Sequence, residues 1–200
     1  GGNGGMNSLE NLPGNPSNDT ASWELWFKPG VDSDSDILFE SGGNGDGMGI
    51  VYNGTTRNIE FTIDNGGNQV EIAAGAAVVN PYDFNHVVAV YQKNIDPANT
   101  DLMQLYVNGQ LVGEDASSTA INDWAGGDAA GVGAQGGGSR GQQVDGGNFE
   151  GYIANVNFYE HAVTGREALN TYQAVTGRLG IAGADGTASL GSAGTFIGET

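Results

Sequence analysis

Asn122-Asp123-Trp124, followed closely by Gly126 and Gly127, is the stretch of this 200-residue chain best composed for sugar chemistry. A pyranose face stacks on an aromatic ring while its hydroxyls exchange hydrogen bonds with amide and carboxylate groups. Packing offers Trp124 a second use, anchoring its loop against the body of the protein, because large aromatic rings are mostly buried. Glu60 and Glu71 fall on neighbouring predicted strands and can face one side, which bears on paired acid and base work. A surface pair is the competing reading, since no strict partner spacing surrounds them. His86 and His161 are the only histidines. The first adjoins a predicted strand start, where it caps or packs; the second sits in a turn. Neither has a serine and a carboxylate disposed as a triad requires. Asp32-Ser33-Asp34-Ser35-Asp36 begins as an EF-hand loop does, but Ile37 stands where that loop needs Gly and Gly43 where it needs a bidentate Glu. The run therefore reads as a solvated loop.

These residues sit in a chain with 24 Asp and Glu against six Lys and Arg, a formal charge of −18. No basic stripe is available to neutralise phosphates, so nucleic acid and anionic membrane surfaces are not expected partners, whereas cations suit the chain. The absence of cysteine removes disulfide frameworks, thiolate zinc sites and thiol catalysis together, and leaves oxygen ligands for any hard ion. Apolar runs fall well short of the roughly 18 residues of a membrane span, so no membrane insertion is expected, and Gly1 to Met6 do not read as a signal peptide. Hydrophobic residues make up 38% and come in patterned runs, which predicts a packed core rather than disorder.

The elements that must position the chemistry are short strands. Trp23, Leu25 and Phe27 alternate with Glu24, Trp26 and Lys28, and strand-sized runs follow at 37–39, 48–52, 59–63, 70–73, 87–91, 102–107 and 152–159. Asn53-Gly54, Asp64-Asn65-Gly66-Gly67 and Asn108-Gly109 supply the positive φ angles of tight hairpins. Trp23 and Trp26 point to opposite faces of one strand, and both read as packing residues. Regularly spaced short strands of this kind predict an all-β fold, an antiparallel two-sheet sandwich or jelly roll. Thr164-Gly165-Arg166-Glu167 has capping-box spacing, and Ala168, Leu169, Tyr172 and Val175 form a helical stripe that is expected to stop at Gly177. Residues 126–151 read as a Gly-rich loop with one short strand. The organisation expected is a sandwich domain over residues 1–177 and a Gly/Ala/Ser-rich tail or peripheral strand over 178–200.

The segments Ser22-Trp23-Glu24-Leu25-Trp26-Phe27-Lys28-Pro29, Ile37-Leu38-Phe39-Glu40, Phe84-Asn85-His86-Val87-Val88-Ala89-Val90-Tyr91, Leu105 to Val112 and Gly151 to Tyr159 come in an order that resembles the laminin-G-like family of the concanavalin-A-like lectin and glucanase superfamily. The likeness covers residues 20 to 176, and five segments in order are specific for the fold but not for a function. It implies a calcium site at one rim, built from two Asp side chains and backbone carbonyls, which falls near Asp46 and near Asp128. Gly neighbours let carbonyls turn inward there, and two carboxylates balance a divalent charge; the alternative is that both simply turn the chain. A second ion position of the wider superfamily falls at Ala154-Asn155, where relatives often have Asp-Glu and Asn155 offers only a carbonyl oxygen. Calcium and a sugar would then share one rim, with Asn122, Asp123 and Trp124 on one side and Asn44, Asp46 and Asn65 opposite. Glycosidases of this fold carry E-x-D-x-x-E on one strand, and this chain has no such pattern, so no catalytic residue is assigned. The expected function is a non-catalytic, calcium-binding, extracellular module that recognises carbohydrate or cell-surface glycan within a larger secreted or adhesin-type protein. A polysaccharide-active hydrolase or lyase of the same fold, and a structural spacer, are the alternatives.

Overall fold

The computed structural model describes residues 20–30, 35–43, 46–65, 68–75, 78–92, 95, 100–117, 130–136 and 147–179. In chain order the strands are β1 (Ala21–Pro29), β2 (Ser35–Gly43), β3 (Asp46–Asn53), β4 (Asn58–Asn65), β5 (Asn68–Ala73) and β6 (Asn85–Gln92). Then come β7 (Asp101–Val107), β8 (Gln110–Ser117), β9 (Gly131–Val132), β10 (Gly147–Asn148), β11 (Gly151–Tyr159) and one helix, α1 (Gly165–Leu179). They form the expected antiparallel sandwich. One sheet has five strands in the order β11-β1-β6-β7-β8, and the other has six, in the order β10-β2-β3-β4-β5 with β9 also paired to β2. The pairing of β10 with β2 is parallel. Among the described residues of the region 126–151, expected to hold one short strand, there are two very short ones, β9 and β10.

Period-two alternation sends Trp23, Leu25 and Phe27 of β1 into the space between the sheets, where they meet Phe39, Ile50 and Phe61 of the opposite sheet. Trp23 and Phe61 pack with ring centroids 6.0 Å apart. Close approach of the sheets also explains Gly113 on β8: a Cβ there would lie 2.0 Å from Ile72 Cγ2 on β5. The Asn108-Gly109 turn has φ angles of 52 and 77, as a two-residue hairpin needs. A side chain on Gly109 would also press on Leu169 Cα of α1, 3.0 Å away.

The outer face of the five-stranded sheet is covered as well. Val88, Val90 and Tyr106 pack with Val163 and Ala168 beneath α1, so β1 and β6 are buried on both faces. Trp26 stacks with His86 (centroids 4.7 Å) and with Tyr172 of the helix (6.0 Å), and His86 and Tyr172 lie 6.4 Å apart, so the three rings form one cluster. The helix begins as its sequence demands: Thr164 N donates to Glu167 Oε2 at 2.8 Å and Glu167 N to Thr164 Oγ1 at 3.3 Å. It does not stop at Gly177. Thr176 is buried and donates to Tyr172 O at 2.8 Å, and Gly177 does not take the left-handed conformation of a C-cap, so the last turn runs on to Leu179.

Candidate functional site

His86, one of the residues weighed for chemistry, is part of the architecture. His86 is buried, and its Nε2 meets Glu24 Oε1 at 2.7 Å. Glu24 also accepts from Asn157 Nδ2 at 3.0 Å and from the Tyr159 hydroxyl, so one carboxylate ties β6 and β11 to β1 beneath the helix. Burial pushes the Glu24 pKa up, but the hydrogen bonds from His86, Tyr159 and Asn157 and the attraction of His86 outweigh it and hold the carboxyl at about 2. The Tyr159 hydroxyl is pushed up to about 12, by burial first and by Glu24 next. Ser22, the serine on the same strand, is not part of this network: its Oγ donates to His161 O at 2.7 Å and accepts from Val163 N at 2.9 Å. The group is a clasp, not a triad. His161 sits exposed in the turn before α1, edge-on to Tyr159.

The β4–β5 register sets Glu60 opposite Ala73 and Glu71 opposite Thr62, one row apart on the same face of the sheet. Among the described residues no group of three or more acidic or histidine side chains could hold a metal ion. Asp46 opens β3, paired across the sheet with Asn65 on one side and Gly43 on the other. Asn155 belongs to the other sheet, where it is the bulged residue of β11, exposed and with φ 53. Asn44, Asn122, Asp123, Trp124 and Asp128 lie outside the described residues. The acidic run expected as a solvated loop ends inside a strand. Asp36 belongs to β2, is buried and accepts from Glu150 N at 3.4 Å, because the run continues straight into the apolar Ile37-Leu38-Phe39 segment.

A cleft of about 490 Å³ opens at the far end of β3 from Asp46. The end of β1 supplies Lys28, Pro29 and Gly30; the β3–β4 hairpin supplies Tyr52, Gly54 and Arg57; the loop before β6 supplies Pro81 and Tyr82. Each contributor is held by local structure. In the hairpin, Arg57 N donates to Asn53 O at 2.7 Å and Thr56 N to Asn53 Oδ1 at 3.0 Å, which closes the loop with Arg57 at φ 60. A non-glycine residue in that conformation costs about 1–2 kcal/mol. Tyr52 lines the cleft with its ring centroid 5.4 Å from that of Phe27; burial pushes its hydroxyl pKa up, Arg57 opposes this and Asp36 adds to it.

The Pro81-Tyr82 loop is tied from below. Asn85 is 0% exposed; its Oδ1 accepts from Asn80 N at 2.7 Å, and its Nδ2 donates to Asn80 O at 2.7 Å and Asp83 O at 3.0 Å. Asn108 Nδ2 adds a bond to Asn85 Oδ1 at 3.1 Å, and Tyr82 N donates to Asn80 Oδ1 at 3.0 Å. On this pinned turn Tyr82 is 80% exposed. An aromatic ring fixed at its base and open to solvent beside a polar cleft is suited to stacking on a sugar. Sequence reasoning passes over it because Asn80-Pro81-Tyr82-Asp83 reads as an ordinary turn; the available signal is the large aromatic within that turn.

The two-sheet antiparallel sandwich is that of the concanavalin-A-like class. The chain belongs to the Laminin_G_3 family of the Concanavalin A-like lectin/glucanases superfamily, which matches residues 1–168. No curated protein matches it in sequence. Similar solved structures include the Ruminococcus gnavus IT-sialidase CBM40 bound to alpha2,3 sialyllactose, with TM-score 0.64 and 17% identity over 84% of this chain and 92% of that one. Domain 4 of the extracellular GH43 arabinanase AbnA of Geobacillus stearothermophilus, in complex with arabinotriose, has TM-score 0.56 and 15% identity over 78% of this chain and 67% of that one. Domains LG4-5 of the mouse laminin alpha1 chain give 0.54 and 16%, over 72% and 38%. Carbohydrate-binding modules are thus among the structures with this fold, in a superfamily that also includes glucanases.

Proposed function

We propose that the chain is a non-catalytic carbohydrate-recognition module and that the cleft edged by Tyr82 is its binding site. The observation that carries this reading is the 80% exposed Tyr82 ring on a hydrogen-bonded loop, beside a cleft with amine, guanidinium and backbone groups for sugar hydroxyls. A CBM40 bound to a sialylated trisaccharide and an arabinanase domain bound to arabinotriose share the sandwich and support it. Removal of the ring tests it. Tyr82→Ala weakens binding of any glycan that a glycan array identifies by roughly tenfold, the loss of one stacking contact, with the melting temperature unchanged. A clean array would favour a structural spacer, and turnover of a polysaccharide that Glu60→Gln or Glu71→Gln abolishes would favour the enzyme.

The remaining features of this reading are proposals of the same kind. We place the module outside the cell, within a longer secreted or adhesin-type protein, as the extracellular arabinanase carries its own such domain. The module boundary expected after residue 177 is placed instead after Leu179, where α1 ends, and residues 180–200 are assigned to a tail. Calcium is assigned to the rim at the other end of β3, where the register sets Asp46 opposite Asn65. Calcium raises the melting temperature and chelator reverses the rise, whereas Asp46→Ala shows neither response. A wild-type melting temperature indifferent to calcium removes the ion from the description.

A further inference from the structure

The charge of the cleft lining runs against the charge of the chain. Acids outnumber bases 24 to six over the whole sequence, yet Lys28 and Arg57, a third of all the bases, line this one cleft and no described lining residue is acidic. They come from different sheets, Lys28 from β1 and Arg57 from the β3–β4 hairpin, so only the tertiary fold brings them together. Among the described residues neither is paired with a carboxylate. Two carboxylates of neighbouring elements accept from backbone N–H groups: Asp36 from Glu150 N at 3.4 Å and Asp83 from Phe84 N at 2.8 Å. Arg57 moreover holds a left-handed backbone conformation that glycine would adopt without strain. A guanidinium kept there at a conformational cost, beside an ammonium group and an open aromatic ring, suits an anion carried on a sugar.

We infer that the ligand of this cleft is an acidic sugar, its carboxylate bound by Arg57 and Lys28 while its ring packs on Tyr82. This rests on the cleft being the carbohydrate site proposed above. A sugar carboxylate has two common sources, a sialic acid and a uronic acid, and the cleft chemistry is shared by both. Calorimetric titration of the whole chain distinguishes them with four probes: 3′-sialyllactose against lactose, and trigalacturonate against its methyl ester. At least one acidic probe binds tenfold or more tightly than its neutral counterpart, and whichever does so names the source. Arg57→Gln weakens that binding by roughly 10- to 100-fold, the loss expected when one charge-assisted hydrogen bond is removed, and Arg57→Lys restores part of it. Lys28→Gln weakens it less, because an ammonium makes no bidentate contact. Rising salt weakens the acidic probe and leaves the neutral one unchanged. Equal affinity for acidic and neutral probes, or indifference to Arg57→Gln, overturns the acidic-sugar assignment while a Tyr82→Ala loss still upholds the cleft. Failure of every acidic and neutral sugar to bind overturns the carbohydrate reading beneath it.

Discussion

Replacing Glu24 with Ala destabilises the folded chain by about 3–5 kcal/mol, the range for breaking a buried pair and stranding its partner. Three groups lose their acceptor at once: His86 Nε2, Asn157 Nδ2 and the Tyr159 hydroxyl. Water has poor access to replace it, because Glu24 is only 3% exposed and His86 0%. Equilibrium urea unfolding at neutral pH measures the loss. The same carboxylate sets an acid limit. Its folded pKa, about 2, lies below the ordinary 4.5, so the folded state holds the proton less tightly than the unfolded state. Its contribution is therefore fully present above about pH 4.5 and declines as pH falls from there toward 2, by on the order of 3 kcal/mol in total. Other carboxylates titrate in that window too, so the informative quantity is the difference between wild type and Glu24→Gln. That difference shrinks as the pH drops; a constant gap from pH 7 to pH 3 would show that the clasp is not what acid dissolves.

Asn85→Ala has the second largest effect, and it reaches function without touching ligand. Asn85 makes three hydrogen bonds to the loop, two with Asn80 and one with Asp83, and a fourth with Asn108. Each is worth about 1 kcal/mol, and the backbone groups left behind are partly shut off from water, so a total of about 3–4 kcal/mol is expected. The shared turn couples the damage outward. Asn108 itself accepts from His86 N at 2.9 Å and donates to Val78 O at 3.0 Å, so loss of Asn85 loosens the start of β6 as well as the Pro81-Tyr82 loop. Glycan binding falls toward the level of Tyr82→Ala, because an unpinned ring loses orientation entropy on binding. Hydrogen exchange at the Asn80 and Tyr82 amides reports the loosening directly. Unchanged protection there, with binding intact, would sever the proposed link between the asparagine cluster and the platform.

Several features were readable from local pattern, and each for a local reason. Alternation in Trp23 to Phe27 predicts a strand because successive side chains take opposite faces, and the structure buries both Trp23 and Trp26, one against each face. Asn108-Gly109 predicts a tight hairpin because it supplies two positive φ angles, and Thr164 with Glu167 predicts a helix start because the two cap each other. The helix end was less readable: Gly177 is a stop signal only where nothing packs beyond it, and buried Thr176 carries the helix two residues further. Among candidate chemical groups, His86 reads correctly as a packing residue, yet its partner Glu24 lies 62 positions away and no local rule names it.

Composition and periodicity settled the class of fold, the sandwich, its turns and the helix start, since these depend on contacts within a few residues of one another. They also excluded thiol chemistry and disfavoured polyanionic partners, which follow from residue counts alone. The cleft was decided only by tertiary structure. Lys28, Arg57 and Tyr82 stand in three separate segments, each an ordinary strand end or turn by its own neighbours, and their meeting depends on which strands pair and how two sheets stack. The net charge of −18 behaves the same way: as a sum it points toward cations, and only the folded arrangement gathers two of six bases in one cleft. Short-range sterics fix the elements, and long-range packing fixes which side chains share a site.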